Sequence, residues 1–162
     1  MSRCLPLLLL GLALLGAGAA RPPGLSAQET DLDRVDAFLA QGRFSSAREV
    51  LQEWYGEAEG GASREERQRG LWLRAVLTVD PEMAAIDLRR LVVRYPGGPY
   101  SDRALFRLAQ GARALSEEIR ALEYVEDLLR DYPESALRDR AELLSGEIRS
   151  DLVPGAAGDA TP

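Results

Sequence analysis

Apolar residues along the chain recur at helical spacing, and no segment alternates convincingly as a strand. Leu105, Leu108, Ala109 and Ala112 fall at i, i+3, i+4, i+7, one face of a helix. Ile119, Leu122, Val125, Leu129 and Tyr132 make a second stripe. Asp80 is a good N-cap and Pro81 suits the first helical turn, where its missing N–H costs nothing. Ser101 or Asp102 starts another helix, and Ser116 with Glu117 and Glu118 the next. Pro96 and Pro133 close the helices before them, because the residue preceding proline is disfavoured in helix. Together these signals predict seven helices, at about 31–41, 44–57, 63–79, 81–95, 101–115, 117–132 and 136–150.

The pattern also repeats. Ala84–Gly111 and Ala121–Glu147 align without a gap at an offset of 37 residues. The offset carries Leu88 onto Val125, Leu91 onto Leu128, Tyr95-Pro96 onto Tyr132-Pro133, and Asp102-Arg103-Ala104 onto Asp139-Arg140-Ala141. One step backwards brings Ala47, Leu51 and Trp54 into register with Ala84, Leu88 and Leu91. Two helices per unit, with small residues such as Ala47, Ala84 and Ala121 where helices approach closely, predict an all-α stack. One helical hairpin cannot bury both its stripes, so stacked units share a core.

The two ends differ from the repeats. Leu5–Ala20 is an uncharged run of 16 residues behind Arg3, short for a membrane span of about 20 residues. It reads as a secretory signal peptide over 1–27, with cleavage after Ala27 or after Ala20. Cys4 precedes the apolar run instead of following it, which argues against a lipoprotein. The expected division is therefore a signal peptide at 1–27, helical repeats at 28–151 and a disordered tail at 152–162. The protein is expected to be secreted or periplasmic, with no integral membrane segment after cleavage.

Composition narrows the chemistry. All 20 cations are Arg, set against 26 acids for a net charge of −6, and His, Lys and Asn are missing. Without His there is no triad imidazole and no His-ligated zinc. With Cys4 as the only thiol there is no disulfide framework. Negative charge argues against binding nucleic acid. The neighbouring carboxylates Glu65-Glu66, Glu117-Glu118 and Glu126-Asp127 do not face one another on a helix and form no catalytic pair. Trp54, Tyr55 and Trp72 read as packing residues. No Gly-rich phosphate loop or Ser elbow is present, so no enzyme activity and no cofactor are expected.

The repeat resembles the tetratricopeptide repeat family. Leu108-Ala109, Ala121, Val125 and Pro133 match its pattern in one unit, and Leu71, Ala84, Leu88 and Pro96 in the unit before. Trp72, Leu91 and Leu128 depart from it, and the period is 37 where the family more commonly has 34. Tyr-Pro followed by Asp-Arg-Ala is similar to an envelope subgroup. Its members include the periplasmic Tol-Pal-associated repeat protein and the lipoprotein of outer-membrane barrel assembly. The resemblance implies a short right-handed α-solenoid of about three hairpins plus a C-terminal capping helix.

It further implies a non-enzymatic scaffold in a bacterial cell envelope, with a protein partner held in a concave groove lined by the first helix of each hairpin. In this register the inward residues are Arg69, Leu73 and Val76, then Arg103, Phe106, Gln110 and Arg113, then Arg140, Leu143 and Glu147. Guanidinium groups around an aromatic ring suit an acidic segment or a peptide carboxylate. The competing reading pairs these arginines with Glu66 or Glu147. An alternative function is self-assembly through the solenoid ends, although Arg138, Arg140, Glu142, Glu147 and Arg149 make the last helix polar.

Overall fold

A computed structural model describes residues 30–153. The expected signal peptide and nearly all of the expected tail lie outside them. The described residues form seven α-helices, and no strand occurs among them: α1 Asp31–Ala40, α2 Phe44–Glu57, α3 Arg64–Leu77, α4 Pro81–Arg94, α5 Ser101–Ala114, α6 Glu118–Asp131 and α7 Arg138–Leu152. A 3-10 turn, Glu59–Gly61, precedes α3. No helix among the described residues is long and apolar enough to cross a membrane.

The helix boundaries keep the 37-residue period through all three units. Helices α2, α4 and α6 start at 44, 81 and 118, and α3, α5 and α7 at 64, 101 and 138. The first unit therefore shares the backbone plan even though it lacks Tyr-Pro. The register holds in the packing too. Ala47, Ala84 and Ala121 are buried, as are Leu51, Leu88 and Val125, and Trp54, Leu91 and Leu128.

Local signals account for most helix ends. Thr30 and Ser63 form reciprocal capping boxes with Asp33 and Glu66. The Asp80 carboxylate accepts from the N–H groups of Glu82 and Met83, ahead of Pro81. Asp80 before that proline is kept out of helix, so α3 stops at Leu77, two residues short of the expected end. Ser116 does not cap α6; it turns the chain in the left-handed region at φ 58°, and α6 starts two residues later. Helix α7 begins at Arg138, two residues later than expected, and reaches Leu152, one residue into the expected tail.

Three consecutive apolar clusters make the core. The first joins α1, α2 and α3 through Leu32, Val35, Leu51, Trp54, Leu73 and Leu77. The second joins α3, α4 and α5 through Leu71, Ala75, Leu88, Leu91, Ala104 and Leu108. The third joins α5, α6 and α7, with Leu105, Ala109, Val125, Leu128, Ala141 and Ile148 at its centre. Helices α3 and α5 thus bury two stripes each, whereas α2, α4 and α6 bury one and leave an outer face to solvent. In α6, Ala121, Val125 and Leu128 are buried, and Leu122, Leu129 and Tyr132 of the expected stripe pack partly buried against the same cluster, whereas Ile119, at its start, is 69% exposed. One period after Leu105 and Ala112 of α5, helix α7 carries exposed Glu142 and Arg149, a polar surface on the last described helix.

Candidate functional site

The odd-numbered helices share one face of the molecule, and cation–carboxylate pairs bridge it at both ends. Arg69 on α3 binds Asp33 and Asp36 of α1. Arg113 on α5 binds Glu147 and Asp151 of α7. Burial alone would lower the affinity of Arg69 for its proton; the hydrogen bonds to Asp36 and Asp33 more than offset this and hold it above its ordinary value. For Arg113, the hydrogen bond to Glu147 acts in the same direction and dominates. On the other side of the first pair, the Thr30 hydroxyl and N–H, with Arg69, pull Asp33 down to about 2.

Between these ends lies a depression of about 230 Å³ lined by Trp72 of α3, Arg103, Phe106, Arg107 and Gln110 of α5, and Leu137 and Arg140 at the start of α7. No carboxylate lines it. The Arg140 guanidinium stands over the Phe106 ring, 4.8 Å from its centroid. Arg103 and Arg140 have no acidic partner among the described residues. Arg107 reaches the Val76 carbonyl at the C-terminal end of α3, where a cation complements the helix dipole. Trp72 is fixed by stacking on Tyr100, with centroids 5.9 Å apart.

The repeated motifs position this site. The Tyr132 hydroxyl accepts from Gly97 N–H at 3.1 Å, tying the end of α6 to the turn before α5. Gly97 has φ 72°, which suits glycine. The Ser135 hydroxyl donates to Asp102 at 2.6 Å and accepts from Leu137 N–H. These bonds set the start of α7 beside the start of α5, so Arg140 meets Phe106. Ser101 donates to the Tyr95 carbonyl at 2.7 Å, anchoring the same end of α5 to α4.

Of the residues assigned to the groove by sequence, Arg103, Phe106, Gln110 and Arg140 come together here. The other six do not join them. Leu73, expected in the groove, is 1% exposed in the first core cluster, because α1 packs over that face of α3. Arg69 and Arg113 lie on the expected face but are occupied by the carboxylates just described, and the pairing of Arg113 with Glu147 is the competing reading of the sequence. Leu143 is 67% exposed, outside the depression, and Val76 is half-buried. Trp72, Arg107 and Leu137 were not in the expected set. Trp72, read from the sequence as a packing residue, does pack against the first two core clusters and also lines the depression.

A second cluster is structural in character. Arg74 of α3 makes two 2.6 Å hydrogen bonds to buried Asp87 of α4 and lies 4.2 Å from the centroid of the Tyr55 ring. Burial pushes the Tyr55 hydroxyl up to about 12. Neither Asp87 nor Tyr55 shows a signal at this level in the sequence, since their partners come from other helices. Among the described residues, no group of three or more His, Cys, Asp or Glu is arranged to hold a metal ion.

No protein-family model matches the chain, and no curated protein is significantly similar to it.

Proposed function

We propose that this chain is a non-enzymatic α-solenoid of tetratricopeptide type that binds an acidic segment of a partner protein, with export to a bacterial cell envelope as its setting. The observation that carries the binding reading is the depression between α3, α5 and α7. It gathers Arg103, Arg107 and Arg140 around Phe106 and Trp72, with no carboxylate in its lining, in a protein that is acidic overall. A partner carboxylate would meet guanidinium groups with open donors, and an aromatic or aliphatic neighbour would pack on the rings. The solenoid reading is supported by the 37-residue spacing of the helix boundaries and by cores built in turn from three consecutive helices. Export rests on the sequence of residues 1–27 alone. Self-assembly through the last helix is disfavoured by exposed Glu142 and Arg149 on α7.

The test is a titration of the chain with a labelled peptide rich in Asp and Glu and carrying one Phe. Binding should weaken as salt rises and fall about tenfold or more in an Arg103→Glu, Arg140→Glu double variant, since each charge-assisted hydrogen bond contributes about 1.5–3 kcal/mol. Equal binding by parent and double variant would reject this site.

A further inference from the structure

The even-numbered helices each turn an outer face to solvent, and the repeat register allows those faces to be compared position by position. On α4 the outer face carries Met83, Ile86 and Val93, which are 57%, 44% and 78% exposed. They lie within about 80° of one another around the helix and span about 15 Å along it. Arg94 and Arg89 flank them on either side, and Arg90 stands within the stripe, between Ile86 and Val93. Arg90 has a 3.6 Å pairing with Asp87, and Arg89 and Arg94 have no acidic partner among the described residues. Glu82, in the first turn, is the exposed carboxylate of this helix.

Neither neighbour shares this pattern. The positions of Met83, Ile86 and Val93 hold Ser46, Glu49 and Gly56 in α2, and Arg120, Glu123 and Arg130 in α6. Where α4 has Arg89, Arg90 and Arg94, α2 has Gln52, Glu53 and Glu57, and α6 has Glu126, Asp127 and Asp131. Structurally equivalent positions of the same protein thus show that the fold needs neither apolar side chains nor arginines there. The surface of α4 is both more apolar and opposite in charge to its two repeats.

We propose that the outer face of α4 is a second docking surface, which takes an amphipathic helix of a partner protein whose apolar stripe is flanked by Asp or Glu. The stripe length matches about three turns of a partner helix, and the arginines on either side select acidic flanks. A second copy of this chain fits poorly. Its α2 and α6 offer acids but no apolar stripe, and its own α4 would oppose arginine to arginine. The inference stands independently of the depression on the odd-helix face.

The test uses the whole chain and a synthetic helix of about 18 residues with Leu at i, i+3, i+7 positions and Glu beside them, followed by fluorescence anisotropy. Two control helices replace Glu by Lys, or Leu by Ser. A grafted variant, Met83→Arg, Ile86→Glu and Val93→Arg, takes the residues of α6; circular dichroism and a thermal midpoint within a few degrees of the parent establish that it folds. The acidic helix should bind the parent and both controls should fail. The graft should weaken binding tenfold or more, while Arg103→Glu, Arg140→Glu leaves it unchanged. Equal binding by the graft, equal binding of the Lys helix, or no binding at about 1 mM would overturn the proposal. So would a dimer of the parent that the graft abolishes, which would give the face to a second copy.

Discussion

Arg69 of α3 and Arg103 of α5 lie on successive odd-numbered helices, yet one is paired with carboxylates and the other has no acidic partner among the described residues. Around Arg69, α1 lies across α3, its Asp33 and Asp36 bind the guanidinium, and its Leu32 and Val35 bury Leu73. Around Arg103, no acid lines the surface and Arg140 stacks on Phe106. The backbone plan is the same, since the helices begin one period apart. The side chains differ at each position and so does what packs over them: the register sets Arg69 against Phe106 and Arg103 against Glu66, and α1 covers Leu73 whereas Gln110, one period on, lines the depression.

The sealed end depends most on Trp54, which is 4% exposed and packs against Gly70 of α3. Trp54→Ala should cost about 3–5 kcal/mol in urea unfolding, the largest effect among these variants. Gly70→Ala tests the same contact from the other side. An added Cβ would sit 2.6 Å from the Trp54 ring. In an open helix site this change stabilises by up to about 1 kcal/mol. Here it should destabilise by about 1–3 kcal/mol, because the ring cannot retreat from a packed core. A stabilised Gly70→Ala protein would mean that α2 and α3 are packed more loosely than described.

Asp87→Ala should cost about 1–3 kcal/mol in the same assay, since Arg74 would lose both hydrogen bonds at a half-buried site. Acid separates the two ends further. Asp33 is held at about 2, below the unfolded range near 4, so its contribution is present above pH ~4 and lost as pH falls towards 2. Over that window the parent should lose more stability than Asp33→Asn, and the Arg69 end should loosen before the centre of the face. Smallest of all, Arg103→Glu with Arg140→Glu should change stability by no more than about 1 kcal/mol, since both side chains are exposed and the Arg140–Phe106 contact is what is lost.

Much of the helical plan was legible in the sequence, because capping residues, prolines and a repeated register act locally. Asp80-Pro81 and Tyr132-Pro133 mark their boundaries without help from the rest of the chain. The site was legible in part. Arg103, Phe106, Gln110 and Arg140 follow from helical spacing once the register is known. Leu73 did not, because its burial depends on how α1 crosses α3, which no spacing encodes. The stripe of α6 was legible except at its start: Leu122, Val125, Leu129 and Tyr132 pack on the third cluster, whereas Ile119 is exposed because no neighbouring helix covers the first turn there. Arg74 and Asp87 lie 13 residues apart on different helices, so their pairing needed the fold.

The most direct test of the open-face account is a residue-level map of where the acidic, Phe-bearing peptide binds, by chemical-shift perturbation of backbone amides in the chain. Shifts should cluster at Trp72, Arg103, Phe106, Gln110 and Arg140, with α1 silent. Shifts centred instead on Arg69 and α1, or spread evenly over the surface, would contradict it.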